Sequence, residues 1–321
     1  MKKLQLPQLL KGIKLLLIIV GIVLLPLPFL VGNLYWVHVL VMCLYYTAVA
    51  QTWNWVCGYM GQFSLAHAGL LTVGGYTSGL LAYWLGVPPL IGMIAGGLAA
   101  AGLGFVLAGV SLRLKGSYFV VVTIGLSEVV RITIINMWDY TRGTAGLRVP
   151  PLMGVEMPTY GYYYLMLFFM LILMFLTYKL VNSSLGLATK AIREDEDVAM
   201  VMGIRNIRTK LLIFCGSSFF AGMLGASYVH YLRVAGPEMG SLFEMFYIMA
   251  MALIGGRGTL FGPIIGAFII EFFSEYLREL GFVIRMIVLG LVIIAVARFL
   301  PEGVWSLINK VLKSRKIALE A

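Results

Sequence analysis

Histidine, cysteine and paired carboxylates are the side chains from which most catalytic and metal sites are built, and in this sequence they are scattered. The cysteines lie within apolar segments and lack metal-ligand spacing: Cys43, Cys57 and Cys215. The histidines form no cluster: His38, His67 and His230. No G-x-x-x-x-G-K-[ST] run, whose backbone would cradle nucleotide phosphates, occurs. We therefore expect no catalytic residue, no metal and no cofactor.

Polar side chains interrupt one glycine-rich apolar segment, Gly58–Gly75, which reads GYMGQFSLAHAGLLTVGG. Polar groups inside a membrane need partners and are often functional. His67 has no carboxylate or nucleophile near it in sequence, so we favour a polar residue that lines or supports a pathway over a catalytic base. The candidate pathway residues are Gln62, Ser64, His67, Thr123 and Glu128.

A second glycine-rich segment, Gly255–Gly266, reads GGRGTLFGPIIG and lies in the other half of the chain. Interrupted helices in corresponding halves point to the substrate pathway of a transporter. Tight helix packing through small residues is the alternative. The candidate hinge or helix-break residues are Gly58, Gly61, Gly255, Gly256, Gly258, Gly262 and Pro263.

Two pairs of charged residues fall inside apolar segments. Glu128 and Arg131 are three residues apart on one helix face, and a local ion pair that orients the helix competes with a pathway role. Glu271 and Glu275 are four residues apart. Since like charges resist joint burial, we expect at least one of the two to approach an outer interface or a cavity.

The composition places these residues in a membrane protein. Hydrophobic residues make up 61% of the chain and charged residues 12%, against about 25% charged in soluble domains. No Asp, Glu, Lys or Arg occurs from Leu15 to Leu112. Because the apolar runs are continuous and do not alternate, they predict helices and not a barrel. We expect an all-α polytopic membrane protein with about ten transmembrane helices.

The predicted spans are Leu15–Val31, Val37–Val56, Phe63–Leu85, Leu90–Leu112, Phe119–Met137, Tyr162–Val181, Leu211–Tyr231, Leu242–Ile254, Leu260–Leu277 and Ile284–Leu300. Leu242–Ile254 is short, and we keep it as a short or tilted crossing because its omission would place the basic tail outside. The first span is too long for a signal h-region and lacks a cleavage site.

Positive charge sets the expected orientation. Three basic clusters fall on one side: Arg113 and Lys115; Lys190, Arg193, Arg205, Arg208 and Lys210; Lys310, Lys313, Arg315 and Lys316. We explain the net charge of +10 by the positive-inside rule and not by nucleic acid binding. The predicted organisation is a cytosolic basic N-terminus (1–14), a first membrane half (15–181), a cytosolic loop (182–210), a second membrane half (211–300) and a cytosolic basic tail (301–321).

The cytosolic loop reads NSSLGLATKAIREDEDVAMVMGIRNIRTKLL, and four acids follow Arg193. Leu185–Met202 is predicted as an amphipathic helix that ends at Gly203. Asp197-Val198-Ala199, Gly203 and Ile213 partly match the EAA, G and I positions of permeases of ATP-binding cassette importers, although Asp replaces Glu and Val replaces Ala.

Four blocks in order, GYMGQFSLAHAG, LKGSYFVVVTIGLSEVVR, AIREDEDVAMVMGI and LIGGRGTLFGPIIGA, resemble the LivM-type permease of branched-chain amino acid importers. The resemblance covers nearly the whole chain. It departs from the family at TRGTAGL, which contains Arg142 and Thr144, and at Arg257, so it indicates the family more firmly than the substrate.

The resemblance implies a transport subunit in the bacterial inner membrane, driven by partners that hydrolyse ATP. Those partners would be a second permease subunit, two cytosolic ATPase subunits and an external substrate-binding protein, besides membrane lipid. The residues that would couple the chain to the ATPase are Arg193, Glu194, Asp195, Glu196, Asp197, Ala199 and Gly203. Urea, amides or other amino acids remain alternative substrates. An ion-coupled secondary transporter is a less favoured alternative, and a membrane enzyme the least favoured.

Overall fold

The computed structural model describes residues 21–111, 114, 116–152, 158–300 and 303–307. The helices are α1 (Leu27–Val31), α2 (Leu34–Asn54), α3 (His67–Leu85), α4 (Pro89–Ser111), α5 (Ser117–Asn136), α6 (Trp138–Thr141), α7 (Thr159–Val181), α8 (Ser184–Glu194), α9 (Glu196–Val201), α10 (Asn206–Leu232), α11 (Leu242–Gly255), α12 (Gly262–Tyr276) and α13 (Phe282–Phe299). A π-helical turn, Trp55–Tyr59, extends α2. Short 3₁₀ turns cover Gly143–Ala145, Pro237–Gly240 and Leu277–Leu280.

The all-α architecture is the one that the sequence predicts. Five helices of the described chain are long and apolar enough to cross a membrane: α2 with its π turn, α4, α5, α7 and α10. From α2 onward, the long helices begin and end within a few residues of the predicted spans. α11 has 14 residues and α12 has 15, so at ~1.5 Å per residue each is shorter than a ~30 Å hydrocarbon core. The basic N-terminus, the basic residues of the tail, Arg113 and Lys115 lie outside the described residues.

The bundle has two distinct ends, and α10 joins them. At one end, α8 and α9 precede the start of α10; we call this the loop end. At the other end, a two-stranded antiparallel ribbon pairs β1 (Leu147–Arg148) with β2 (Val234–Ala235), just after α10. We call this the ribbon end. The sequence did not predict the ribbon, because strands of two residues carry no periodic signal.

Small residues bring the central helices together. α10 packs against α3 and α4. A side chain at Gly74 would collide with the backbone of Gly222, and one at Gly225 would collide with the carbonyl of Leu71. Since lipid is as apolar as leucine, close backbone approach of this kind is what holds membrane helices together. These contacts fix α3, whose first residue is His67, against the middle of α10.

Candidate functional site

The two glycine-rich segments meet at the loop end. The side-chain amide of Asn54, the last residue of α2, donates to the carbonyl of Thr259 at 2.8 Å. Its oxygen accepts from the backbone N–H of Gly258 at 2.7 Å. Gly256 and Gly258 have φ values of +120° and +71°, which L side chains rarely adopt. The α11–α12 turn is therefore held in a glycine-dependent shape against the end of α2.

The side chain of Arg193, from α8, contacts both glycine-rich segments. Its Nη1 atom donates to the carbonyl of Gly58 at 2.7 Å. A Cβ atom at Gly258 would lie 2.9 Å from the same Nη1, and one at Gly61 would lie 2.9 Å from the Arg193 Cγ. The guanidinium therefore points toward the spans and joins the loop that contains α8 to both helix breaks.

The other predicted break residues pack α11 against α12. A side chain at Gly255 would collide with the carbonyl of Gly262, and one at Gly262 would collide with the carbonyl of Gly256. Pro263 stands in the first turn of α12, where its missing N–H leaves no helical hydrogen bond unmade. Close packing thus explains Gly255 and Gly262, whereas backbone conformation explains Gly61, Gly256 and Gly258.

Residues 61–66 are not helical, so their backbone groups need partners inside the bundle. The indole of Trp53 donates to the carbonyl of Ser64 at 2.7 Å. The N–H of Leu65 donates to Thr123 Oγ1 at 3.0 Å, and Ser127 Oγ donates to the Leu65 carbonyl at 3.0 Å. Side chains from α2 and α5 therefore replace the missing helical bonds, and Thr123 supports this segment together with Ser127.

His67 is buried where α3 begins. Its Nε2 lies 2.9 Å from Ser217 Oγ on α10, and that hydroxyl donates to the Thr52 carbonyl on α2 at 2.8 Å. His67 Nδ1 and the amide of Gln51 have no hydrogen-bond partner among the described residues. Gln62 is half-buried and its N–H donates to the Val56 carbonyl at 3.1 Å.

Glu128 stands apart from this group. It is half-exposed on α5 and accepts two hydrogen bonds from Arg131 Nε, at 3.1 and 3.0 Å, and one from Nη2 at 2.5 Å. The geometry is that of the local charge pair considered in the sequence. It therefore favours helix orientation over a pathway role for Glu128.

The predicted single helix Leu185–Met202 is wrong, because two helices, α8 and α9, meet at Asp195. The Asp195 carboxylate accepts from the N–H groups of Asp197 and Val198, at 2.9 and 3.0 Å. As the N-cap of α9, Asp195 has an extended backbone. It therefore cannot continue α8, and the first helix ends before it. Gly203, with φ of +84°, ends α9 as predicted.

The acids of this loop face different ways. Glu194, Asp195 and Asp197 are exposed, whereas Glu196 pairs with Lys210 on α10 at 2.7 Å. Lys210 is fully buried and also donates to the Ser111 carbonyl at the end of α4, at 2.9 Å. Glu196 thus ties α9 to two membrane helices. The Asn206 side chain adds a bond to the Glu196 carbonyl at 2.8 Å.

The outer face of α9 is apolar and exposed. Val201 is 87% exposed and Met202 78%, whereas Ala199 is 3% exposed and faces the bundle. Beside this face lies a groove of about 750 Å³ whose walls include Ile204 and Leu211. An exposed apolar surface of this kind is typical of a site that contacts another protein or the membrane.

The sequence analysis did not single out several residues of the site. Asn54 and Ser127 are polar residues within apolar spans, and the cost of burying polar groups in lipid is a signal that could have identified them. Lys210 was grouped with the orienting basic residues, because sequence alone does not distinguish a buried lysine from an exposed one.

Comparisons with known proteins agree with this architecture. The family model described as branched-chain amino acid transport system, permease component, matches residues 35–297. The high-affinity branched-chain amino acid transport system permease proteins LivM of Salmonella typhimurium and Escherichia coli are each 28% identical, over 86% of this chain and 71% of theirs. The ribose import permease protein RbsC of Bacillus subtilis is 32% identical over 34% of this chain and 36% of its own length. No solved structure matches.

Proposed function

We propose a transport role for this chain from the premise that it belongs to the permease family of the branched-chain amino acid transport system. It is a multi-pass membrane protein of that family. In our proposal it carries leucine, isoleucine and valine across the bacterial cytoplasmic membrane. ATP hydrolysis by partner subunits drives the transport, so the chain itself is not an enzyme.

The observation that carries the ATP-driven part of the proposal is the double attachment of the cytosolic loop. Arg193 holds the helix breaks and Glu196 holds α10 and, through Lys210, α4. The exposed apolar face of α9 lies directly beside these links. An ATPase that moved α9 would therefore move the breaks and the spans together. Different contacts between the ATPase and α9 in the two states would then bias the spans, as two-state coupling requires.

The proposed assembly contains this chain, a second permease subunit, two ATPase subunits and an external binding protein. The loop end would face the cytosol, because Lys190, Arg205 and Arg208 are exposed there and basic residues favour that side. The ribbon end would face the binding protein. His67, Gln51 and the segment 61–66 would lie along the pathway, where passing water or substrate would satisfy the free polar atoms of His67 and Gln51.

The test is uptake of radiolabelled leucine by proteoliposomes that contain this chain, its partner permease and the ATPase, with the binding protein outside. We expect uptake only when hydrolysable ATP is present on the ATPase side. Radiolabelled urea in parallel vesicles tests the alternative substrate class. Leucine uptake by this chain alone, without ATP, would establish the secondary-transporter alternative instead.

A further inference from the structure

A cavity of about 230 Å³ lies toward the ribbon end, between α2, α3, α10 and the start of α11. One wall is formed by Tyr45 and Tyr228, whose rings stack with centroids 4.7 Å apart. Leu71 and Met239 line an apolar part of it, and both are buried. The exposed residues Val234 and Glu238 line its rim, so the cavity reaches the surface beside the ribbon.

Glu244 lines this cavity from the first turn of α11. Its sequence context, Ser241-Leu242-Phe243-Glu244, is that of a capping box, in which the glutamate would accept from the Ser241 N–H. Half of the box forms, because Ser241 Oγ accepts from the Glu244 N–H at 3.3 Å. The other half does not, because the Ser241 N–H donates to the Glu238 carbonyl at 3.0 Å. The carboxylate is thus not needed for the cap.

The Glu244 carboxylate instead faces the tyrosines. It accepts a hydrogen bond from the Tyr46 side chain and interacts electrostatically with Tyr45 and Tyr228. A second carboxylate, Glu271 of α12, accepts from the Tyr247 hydroxyl at 2.7 Å. Both carboxylates interact with the Arg285 guanidinium of α13. Two carboxylates therefore share this one guanidinium, and the cavity side of the cluster favours a further cation.

The chemistry of the walls fits a primary ammonium group with an apolar substituent. A buried carboxylate is costly unless a cation pairs with it, and aromatic rings attract cations through their faces. Leu71 and Met239 offer apolar contact for a side chain. Leu71 also lies one helical turn after His67, where the non-helical segment ends, so the cavity leads toward the helix breaks.

We propose that this cavity receives an amino acid entering from the ribbon end, with Glu244 as the counter-ion of its α-ammonium group and the stacked tyrosines as its aromatic wall. The inference rests on the proposed function and adds the residues that recognise the substrate. Urea and uncharged amides lack the ammonium group, so a site of this chemistry selects amino acids over them.

The experiment is photo-cross-linking of a leucine analogue with a diazirine side chain to the complex of permease and ATPase subunits. The binding protein is left out, so that the probe reaches the cavity directly. Mass spectrometry then maps the cross-linked peptides. We expect cross-links at Leu71 or Met239, suppressed by excess leucine and not by 4-methylpentanoate, which is leucine without its ammonium group.

Glu244→Gln should reduce the cross-link yield at least tenfold. Glu275→Gln is the matched control, because it makes the same change on α12 at a carboxylate that bonds Arg278 at 3.1 Å and does not line the cavity; its yield should stay within twofold of the parent complex. If Glu244→Gln prevents assembly, the competition between leucine and 4-methylpentanoate on the parent complex tests the inference instead.

Cross-links that map elsewhere, equal competition by the two acids, or an unchanged yield in an assembled Glu244→Gln complex would overturn the inference. In each of these cases, normal ATP-driven leucine uptake by the parent complex would leave the proposed function standing. A parent complex that takes up no branched-chain amino acid would overturn the proposed function, and this inference with it.

Discussion

The loop end and the ribbon end of the bundle use polar residues in opposite ways. At the loop end, Arg193, Asn54 and Lys210 each bond a backbone carbonyl of another segment, and the segments are locked together. At the ribbon end, Glu244 and the tyrosines surround an open cavity. The polar residues named at the loop end thus form links between elements, whereas those around the ribbon-end cavity border open space.

In our proposal, this difference assigns the transmission of motion to the loop end and the recognition of substrate to the ribbon end. Links between a loop and helix breaks transmit a displacement, because each bond fixes one element to another. In our proposal the cavity recognises the substrate, because a carboxylate and aromatic rings line it. Substitutions at the loop end should therefore change stability or coupling, and those at the ribbon end should change substrate handling.

The largest effect is expected from Lys210→Met at the loop end. The substitution removes a fully buried ammonium group and leaves Glu196 and the Ser111 carbonyl without that partner. Breaking a buried pair on one side costs about 3–5 kcal/mol of stability. Thermal unfolding of the purified chain in detergent measures it. Lys190→Met, at an exposed lysine of the same loop, is the control and should leave the melting temperature nearly unchanged.

Arg193→Ala should separate ATP hydrolysis from transport. The variant loses the bond to the Gly58 carbonyl while α9 and its Glu196–Lys210 link remain. We expect ATP-driven leucine uptake to fall about tenfold, which corresponds to a coupling free energy of ~1.4 kcal/mol, with ATP hydrolysis by the complex retained. Lys190→Ala is the control. Equal loss of hydrolysis and uptake would show that Arg193 contacts the ATPase instead of the breaks.

Asn54→Leu should have a smaller effect at the same end. It removes the bonds to Thr259 and Gly258 but leaves the glycine conformations of the turn available. Hydrogen bonds between membrane helices contribute about 0.6 kcal/mol each on average, so a stability loss of about 1–2 kcal/mol is expected, together with a several-fold loss of uptake. Asn182→Leu is the control, because the Asn182 side chain bonds the Tyr178 carbonyl within its own helix end and no other residue that the structure describes. Identical melting temperatures of the two variants would show that the hydrogen bonds of Asn54 do not stabilise the loop end.

Glu128→Gln should have the smallest effect. The pair with Arg131 is local and half-exposed, and such pairs contribute about 0.2–0.5 kcal/mol. Leucine uptake should therefore stay within twofold of the parent. A tenfold loss of uptake with an unchanged melting temperature would instead place Glu128 in the substrate pathway. Substrate handling would then not be confined to the ribbon-end cavity.

The sequence by itself determined where the long apolar helices lie and the place of the two helix interruptions. Continuous apolar runs allow one regular structure in lipid, because each backbone group must be bonded within its own segment. The helix from Pro89 to Ser111 was predicted almost to the residue for that reason. The glycine and polar residues after Gly58 marked the interruption directly, since neither type continues a membrane helix at low cost.

The tertiary structure alone decided which residues act together. Arg193 and Gly58 are 135 residues apart, and Asn54 and Thr259 are 205 apart, so no local pattern joins them. The direction of a side chain was equally hidden: Glu244 occupies a capping-box position, yet its carboxylate faces a tyrosine of another helix. Hydropathy fixes which segments enter the membrane, but the packing of small residues fixes their neighbours, and a hydrogen bond exists only once those neighbours are set.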